Sequence, residues 1–80
     1  MKTRFRIAHG YWKDKHSVEP TTDYHGNYES LEEAVAAYET FKTDKGSWQI
    51  IEEQYAHIAD GVYDWESTGR FWDEHDIENL

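Results

Sequence analysis

The residue types that most often carry chemistry are present, cysteine apart, but few stand at spacings that would let them work together. The five histidines are His9, His16, His25, His57 and His75. No pair is spaced His-x-x-x-His and no His-Glu-x-x-His occurs, so a helix bearing two zinc ligands and a general base is not encoded. His75 is flanked by Asp73, Glu74 and Asp76. Such a cluster on a solvated tail attracts cations loosely rather than fixing one. His57 and Asp60 lie three residues apart, which suits a hydrogen bond at a turn. Ser17, Ser30, Ser47 and Ser67 include no Gly-x-Ser-x-Gly elbow. Adjacent strand residues point to opposite faces, so Glu52 and Glu53 cannot share a proton as an acid–base pair. The five glycines are isolated and form no phosphate-cradling loop. With no cysteine there is no thiolate ligand, thiol nucleophile or disulfide. A chain of 80 residues also has little volume in which to enclose a pocket of about 300 Å³. The expectation is a protein that is not an enzyme, with no catalytic residue, no metal and no cofactor.

Binding chemistry is better represented. Four Trp and six Tyr are more than a core of this size hides. Such rings supply large contact area at small entropy cost. Trp65, Phe71 and Trp72 are interleaved with Asp64, Glu66, Asp73 and Glu74, and Asp76 and Glu78 follow. Carboxylates can stand in for phosphates and rings for bases, so this pattern suits a basic groove that normally holds nucleic acid. With Glu32 and Glu39 these nine residues form the expected partner-binding set. The competing explanation is that the rings replace missing leucines in the core, and it applies most to Tyr38 and Trp48.

The elements that would position these groups can be read from periodicity. Phe5, Ile7, His9 and Tyr11 alternate with Arg4, Arg6, Ala8 and Gly10, the period of a half-buried strand over Thr3–Trp12 with the Arg4/Arg6 face outward. Residues 13–29 read mainly as loop, with Thr21–Tyr28 a possible irregular strand. Ser30 followed by Glu33 is a capping-box pattern opening a helix over Ser30–Thr43. Leu31, Ala34, Val35, Tyr38 and Phe41 form its apolar stripe, Glu32, Ala36, Glu39 and Thr40 lie opposite, and Gly46 is a candidate stop. Over Ser47–Ala59, Trp48, Ile51, Tyr55 and Ile58 fit a helix. As a strand, Gln49, Ile51, Glu53, Tyr55 and His57 share one face, with Trp48 and Ile50 on the other. Asp60-Gly61 before the alternating Val62–Trp65 favours the strand, in a hairpin that sets Ile58 opposite Tyr63 and Ala56 opposite Trp65. Glu66–Gly69 reads as a turn, Arg70–Trp72 as a short last strand, and residues 73–80 as a frayed acidic tail or a terminal helical turn. The fold class is α+β: one domain over 1–80, a small antiparallel sheet of three or four strands with one helix on a face, in the order β-(β)-α-β-β.

Composition sets a tension against that fold. Leu, Ile, Val and Phe number 13 of 80, and the net charge is −9; such values are usual in disordered chains, which however are poor in rings. The charge is uneven. Residues 1–16 hold Lys2, Arg4, Arg6, Lys13 and Lys15 against Asp14, whereas residues 17–80 hold three cations against sixteen acids. Direct nucleic-acid binding is disfavoured, because its affinity comes from neutralising phosphates; a protein with a basic surface is the favoured partner. No apolar run approaches the ~18 residues of a membrane span, and no signal-peptide core follows the basic start, so the expected location is cytoplasmic.

A small, cysteine-free, acidic α+β chain with a capped helix, Ser30-Leu31-Glu32-Glu33-Ala34-Val35, between strands resembles small phage and mobile-element proteins, including anti-CRISPR and other anti-defence inhibitors. The resemblance covers residues 3–72 in outline. It implies inhibition of a nucleic-acid-handling host protein by occlusion, without a cofactor. The basic strand Thr3–Lys15 departs from a uniform nucleic-acid mimic and implies a second, acidic contact. Two alternatives stand beside this expectation: an assembly protein that homodimerises through a sheet edge or an aromatic patch at Trp65/Trp72, and a small metal-binding or hydrolytic protein.

Overall fold

The period-2 alternation at the N-terminus does form a strand. In a computed structural model, which describes residues 2–80, β1 spans Thr3–Tyr11, β2 Thr21–Tyr28, α1 Leu31–Phe41, β3 Ser47–Ala59, β4 Val62–Asp73 and α2 Glu74–Glu78. The strands pair antiparallel in the order β2-β1-β3-β4. Both helices contribute to one core on one face of the sheet. The class is α+β, as expected, with a second short helix added. Ser47–Ala59 takes the strand alternative, and Thr21–Tyr28 is one of the two edge strands.

Caps fix where the helices begin. Ser30 Oγ accepts from the Glu33 N–H at 3.1 Å, which satisfies one orphan donor of the first turn. The Glu33 carboxylate reaches one residue beyond the cap and accepts from the Glu29 N–H at 3.3 Å. The box expected between Ser30 and Glu33 is therefore only half formed. At the far end the Lys42 N–H bonds the Tyr38 carbonyl at 2.9 Å. Gly46 is not the helix stop. It leads into β3 with φ +80°, packed against the Gly10 carbonyl and the His9 ring. The segment expected as frayed or as a helical turn is α2. Asp73 and Asp76 close a full capping box on it, and Ile77 is buried.

The core is small and mixed. Ile7 and Ile50 are opposite one another on β1 and β3 and fully buried. Ala34 and Tyr38 from α1, Trp48 from β3 and Ile77 from α2 complete the cluster, with Phe5, Leu31, Val35 and Trp72 half-buried around it. Trp48 stacks on His9 with centroids 3.8 Å apart and meets Tyr38 edge-on at 6.2 Å. Its indole Nε1–H donates to the Thr43 carbonyl at 3.2 Å. His9 Nε2 lies 2.7 Å from the Lys45 carbonyl; a carbonyl only accepts, so this bond needs the proton on Nε2.

Two irregularities decide which side chains share a face. The hairpin does turn at Asp60-Gly61, with Ala59 opposite Val62, but the next pairs are His57 with Tyr63 and Tyr55 with Trp65. The expected pairs, Ile58 with Tyr63 and Ala56 with Trp65, do not form. Ile58 is an extra residue in a β-bulge, and a one-residue slip moves a strand's side chains to the other face. Further along, Glu66–Gly69 is not a turn between strands. It lies inside the continuous β4, where the register shifts again between Ile51/Phe71 and Glu53/Ser67 and three residues, Thr68–Arg70, stand against Glu52 alone.

Candidate functional site

The helices cover one sheet face, and the other is open. On β1 the open face takes Arg4, Arg6 and Ala8, the residues that alternate with the core positions Phe5 and Ile7. On β3 it takes Gln49, Ile51, Glu53, Tyr55 and His57, by their pairing with those residues and with β4. The Ile58 bulge brings Tyr63 and Trp65 onto this face, and Phe71 joins it opposite Ile51. Tyr24 of β2 lies opposite Ala8.

Contacts link most of these side chains, from Tyr24 through the arginines and Glu53 to the rings of β3 and β4. Tyr55 packs on Trp65 at 5.5 Å and on Tyr63 at 6.0 Å, and His57 on Tyr63 at 5.1 Å. The guanidinium of Arg4 lies 4.1 Å over the Trp65 ring and that of Arg6 lies 4.3 Å over Tyr24. Both arginines converge on one carboxylate: Arg4 Nε donates to Glu53 Oε1 at 2.8 Å, and Arg6 Nη1 is 3.5 Å from the same oxygen. Arg6 Nε is buried and has no acceptor among the described residues. Tyr24, Tyr55, Tyr63 and Phe71 remain 41–57% exposed. At the end of this face, where β2 stops, lies a depression of about 600 Å³ lined by Lys2, Arg4, Asn27, Tyr28 and Trp65 among others.

The helix layer has the opposite chemistry. Glu32, Glu33 and Glu39 of α1 and Glu74, Asp76 and Glu78 of α2 lie on the covered side with Lys42 and Lys45. A cleft of about 400 Å³ between the end of α1 and α2 is lined by Tyr38, Lys42, Asp44, Glu74 and Glu78. Burial, then the charge of Glu74, pushes the Tyr38 hydroxyl above its ordinary value. The Glu39 carboxylate, 2.8 Å from Lys42 Nζ, raises that ammonium in turn.

The eleven residues expected to form one partner surface are thus divided. Trp65 and Phe71 lie on the open face. Trp72 is on the covered face, 5.9 Å from Phe5. Asp64 accepts from the Trp65 N–H at 2.7 Å, and Glu66 meets Gln54 at 3.5 Å. Asp73 and Asp76 cap α2, while Glu32, Glu39, Glu74 and Glu78 belong to the helix layer. The surface that sequence reasoning missed is Arg4, Arg6, Tyr24, Glu53, Tyr55 and Tyr63. The outward Arg4/Arg6 face and the Gln49–His57 face of β3 were both visible as alternations. The bulge that adds Tyr63 and Trp65 to them was not.

Groups of catalytic type are placed elsewhere and apart. His9 and His25 are held in the Trp48 stack, and His57 packs on Tyr63 rather than bonding Asp60. The His75 carbonyl accepts from Asn79 Nδ2 at 2.7 Å. Glu52, 8% exposed, accepts from Thr68 Oγ1 at 2.9 Å and Arg70 Nη1 at 3.3 Å, the two side chains that the β4 irregularity brings to it. Among the described residues no group of three or more His, Asp or Glu side chains could hold a metal ion, and no helix is long and apolar enough to cross a membrane. Comparison with protein-family models, with curated proteins and with solved structures gives no match.

Proposed function

We propose that this protein acts by binding rather than by catalysis, as a stoichiometric inhibitor of the anti-defence type that occludes a basic, nucleic-acid-handling protein. The observation that carries this reading is the separation of charge by layer. Six carboxylates on two adjacent helices face away from the sheet side that holds Arg4 and Arg6. An acidic ridge of this kind raises the encounter rate with a basic surface and competes with nucleic acid for it. The ridge replaces the interleaved acid–ring surface as the contact. Its members are Glu32, Glu39, Glu74 and Glu78, because Asp73 and Asp76 are occupied in holding α2.

The test is capture from native lysate by the tagged chain, compared with a Glu32→Lys/Glu39→Lys/Glu78→Lys variant. The expected result is a basic protein that the wild type retains, that duplex DNA or RNA displaces, and that the variant loses. Retention should fall steeply with salt, since exposed charges are screened beyond about 8 Å at 0.15 M. Equal capture by the folded variant would refute the role of the ridge.

A further inference from the structure

The open sheet face has no role in that reading, and its composition calls for a cover. Tyr55, Trp65 and Tyr63 are contiguous by ring contact, and Ile51 and Phe71 add a second apolar pair on the same face, beyond Glu53 and Ser67. Single exposed apolar residues are ordinary on a protein surface, but a contiguous patch marks an interaction site. We propose that this face is the interface with a second copy of the chain, packed sheet on sheet.

Three observations select that occupant. The first concerns nucleic acid, which also stacks on ring-bearing sheet faces. Here the two arginines share Glu53, and both guanidinium planes already lie on rings. Little cationic charge is left for phosphates, and the chain carries −9 overall. The second is the placement of that charge. Two copies joined by their open faces turn both acidic helix layers outward. With layers about 10 Å apart the two ridges stand several Debye lengths from each other, so the net charge does not oppose the contact. The third is self-complementarity. A two-fold axis along the strands, above the boundary of β1 and β3, sets β1 of one copy over β3 of the other. Arg4, which is opposite Glu53 within its own sheet, then meets Glu53 of the second copy as well, and the same holds in reverse, as an isologous interface requires.

The size is adequate. Four strands about 4.8 Å apart and some eight residues long give a face on the order of 500 Å² in projection. Protruding rings raise the accessible area toward the ~800 Å² per partner of a standard stable interface. The arrangement is a two-layer sheet core with helices on both outer surfaces, and it presents two acidic ridges to a partner in place of one.

This inference is independent of the inhibitor reading, and salt separates the two. Sedimentation equilibrium of the full chain at micromolar concentrations is expected to give twice the 9.5 kDa monomer mass. Raising NaCl from about 0.05 to 0.5 M should leave that mass unchanged or favour the dimer, because apolar burial is not screened. Phe71→Glu and Tyr63→Glu, each at a side chain 57% exposed, should keep the circular dichroism of the wild type and raise the dissociation constant at least tenfold. Three results would overturn the proposal. One is a monomer at every concentration and salt. Another is a dimer indifferent to both substitutions but broken by Thr22→Pro on the edge strand β2. The last is a monomer that binds single-stranded oligonucleotide through the same rings.

Discussion

Deleting Ile58 from the middle of a hairpin should leave the fold and its stability nearly unchanged. Ile58 is 52% exposed and is the unpaired residue of the bulge. The pairs on either side of it, Ala59 with Val62 and His57 with Tyr63, would then be consecutive in a regular hairpin. Little buried area is lost, and Tyr63 and Trp65 keep their face. Deleting Asp64 is the control. It is also exposed, but it stands on the other strand. Its removal either doubles the mismatch or sends Tyr63 and Trp65 to opposite faces. The contact of Tyr55 with one of them, at 6.0 or 5.5 Å, then disappears. With it goes either the His57–Tyr63 packing or the Arg4 guanidinium over Trp65 at 4.1 Å. Ring pairs contribute about 0.5–1.5 kcal/mol each and an exposed cation–π contact about 0.5–1 kcal/mol. The loss for the Asp64 deletion is therefore about 2 kcal/mol. A domain of 60–100 residues loses roughly 4–8 °C of Tm per kcal/mol, so about 10 °C is expected for the Asp64 deletion and within about 3 °C of wild type for the Ile58 deletion. Thermal unfolding followed by far-UV circular dichroism reads both. A drop for the Ile58 deletion as large as for the Asp64 deletion would show that the bulge does not set the register.

Two further perturbations test the packing. Gly46→Ala places a Cβ 2.7 Å from His9 Nε2 and against the Gly10 carbonyl, at φ +80°; Gly61→Ala, at φ +70°, meets nothing within 4 Å. The left-handed conformation costs each substitution about 1 kcal/mol. Gly46→Ala must also displace the backbone and should lose at least ~2 kcal/mol in urea denaturation. Equal losses would argue against the close approach. Tyr38, raised first by burial and then by Glu74, ionises later in the folded chain than in the unfolded one. The stability linked to it is fully present below the unfolded value near pH 10 and is lost as pH rises through the folded value. Tyr38→Phe should flatten the fall in urea midpoint above about pH 10, and an unchanged slope would refute the assignment.

Local signals read well where one rule acted alone. The alternation Phe5–Ile7–His9–Tyr11 identifies β1, and Ser30 caps α1 at the expected residue. At Ser47–Ala59 the Asp60-Gly61 pair that follows directly favours strand over helix, and the hairpin turns at that pair. What local signals did not contain was register. A two-residue hairpin counted from Asp60-Gly61 puts Tyr63 and Trp65 with Ile58 and Ala56, on the covered side. The ring contacts of Tyr55 across the hairpin and the stack of Arg4 on Trp65 favour the other face, and the Arg4 contact comes from the far end of the chain. Thr68-Gly69 likewise has turn composition, yet the hydroxyl of Thr68 and the guanidinium of Arg70 find the Glu52 carboxylate 16 and 18 residues away and keep the strand continuous. The expected binding set is divided between the two faces for a related reason. It grouped residues by nearness in sequence, whereas on a strand Phe71 and Trp72 are neighbours in the chain and lie on opposite faces of the sheet.

The disorder-like aliphatic content has a structural counterpart in the thickness of the molecule. Its extents are 42 × 32 × 17 Å, which is one sheet and one layer of helices. A sheet covered on a single side needs apolar residues on only one face of each strand, and three of the five isoleucines, Ile7, Ile50 and Ile77, lie in that single layer. Tyr38 and Trp48 fill what leucines would fill elsewhere, at the cost of a donor that Thr43 must accept. The remaining rings are not needed to close this core. Phe71, more than half exposed, adds little to the stability of one chain, and Tyr63, equally exposed, contributes only its contacts with Tyr55 and His57. Ring area of that size, held on a rigid sheet beside two arginines that share one carboxylate, gains its apolar burial only when something covers it. Folding draws mainly on the covered face, so single substitutions of the exposed rings on the open face are expected to leave the core packing intact while removing the proposed association.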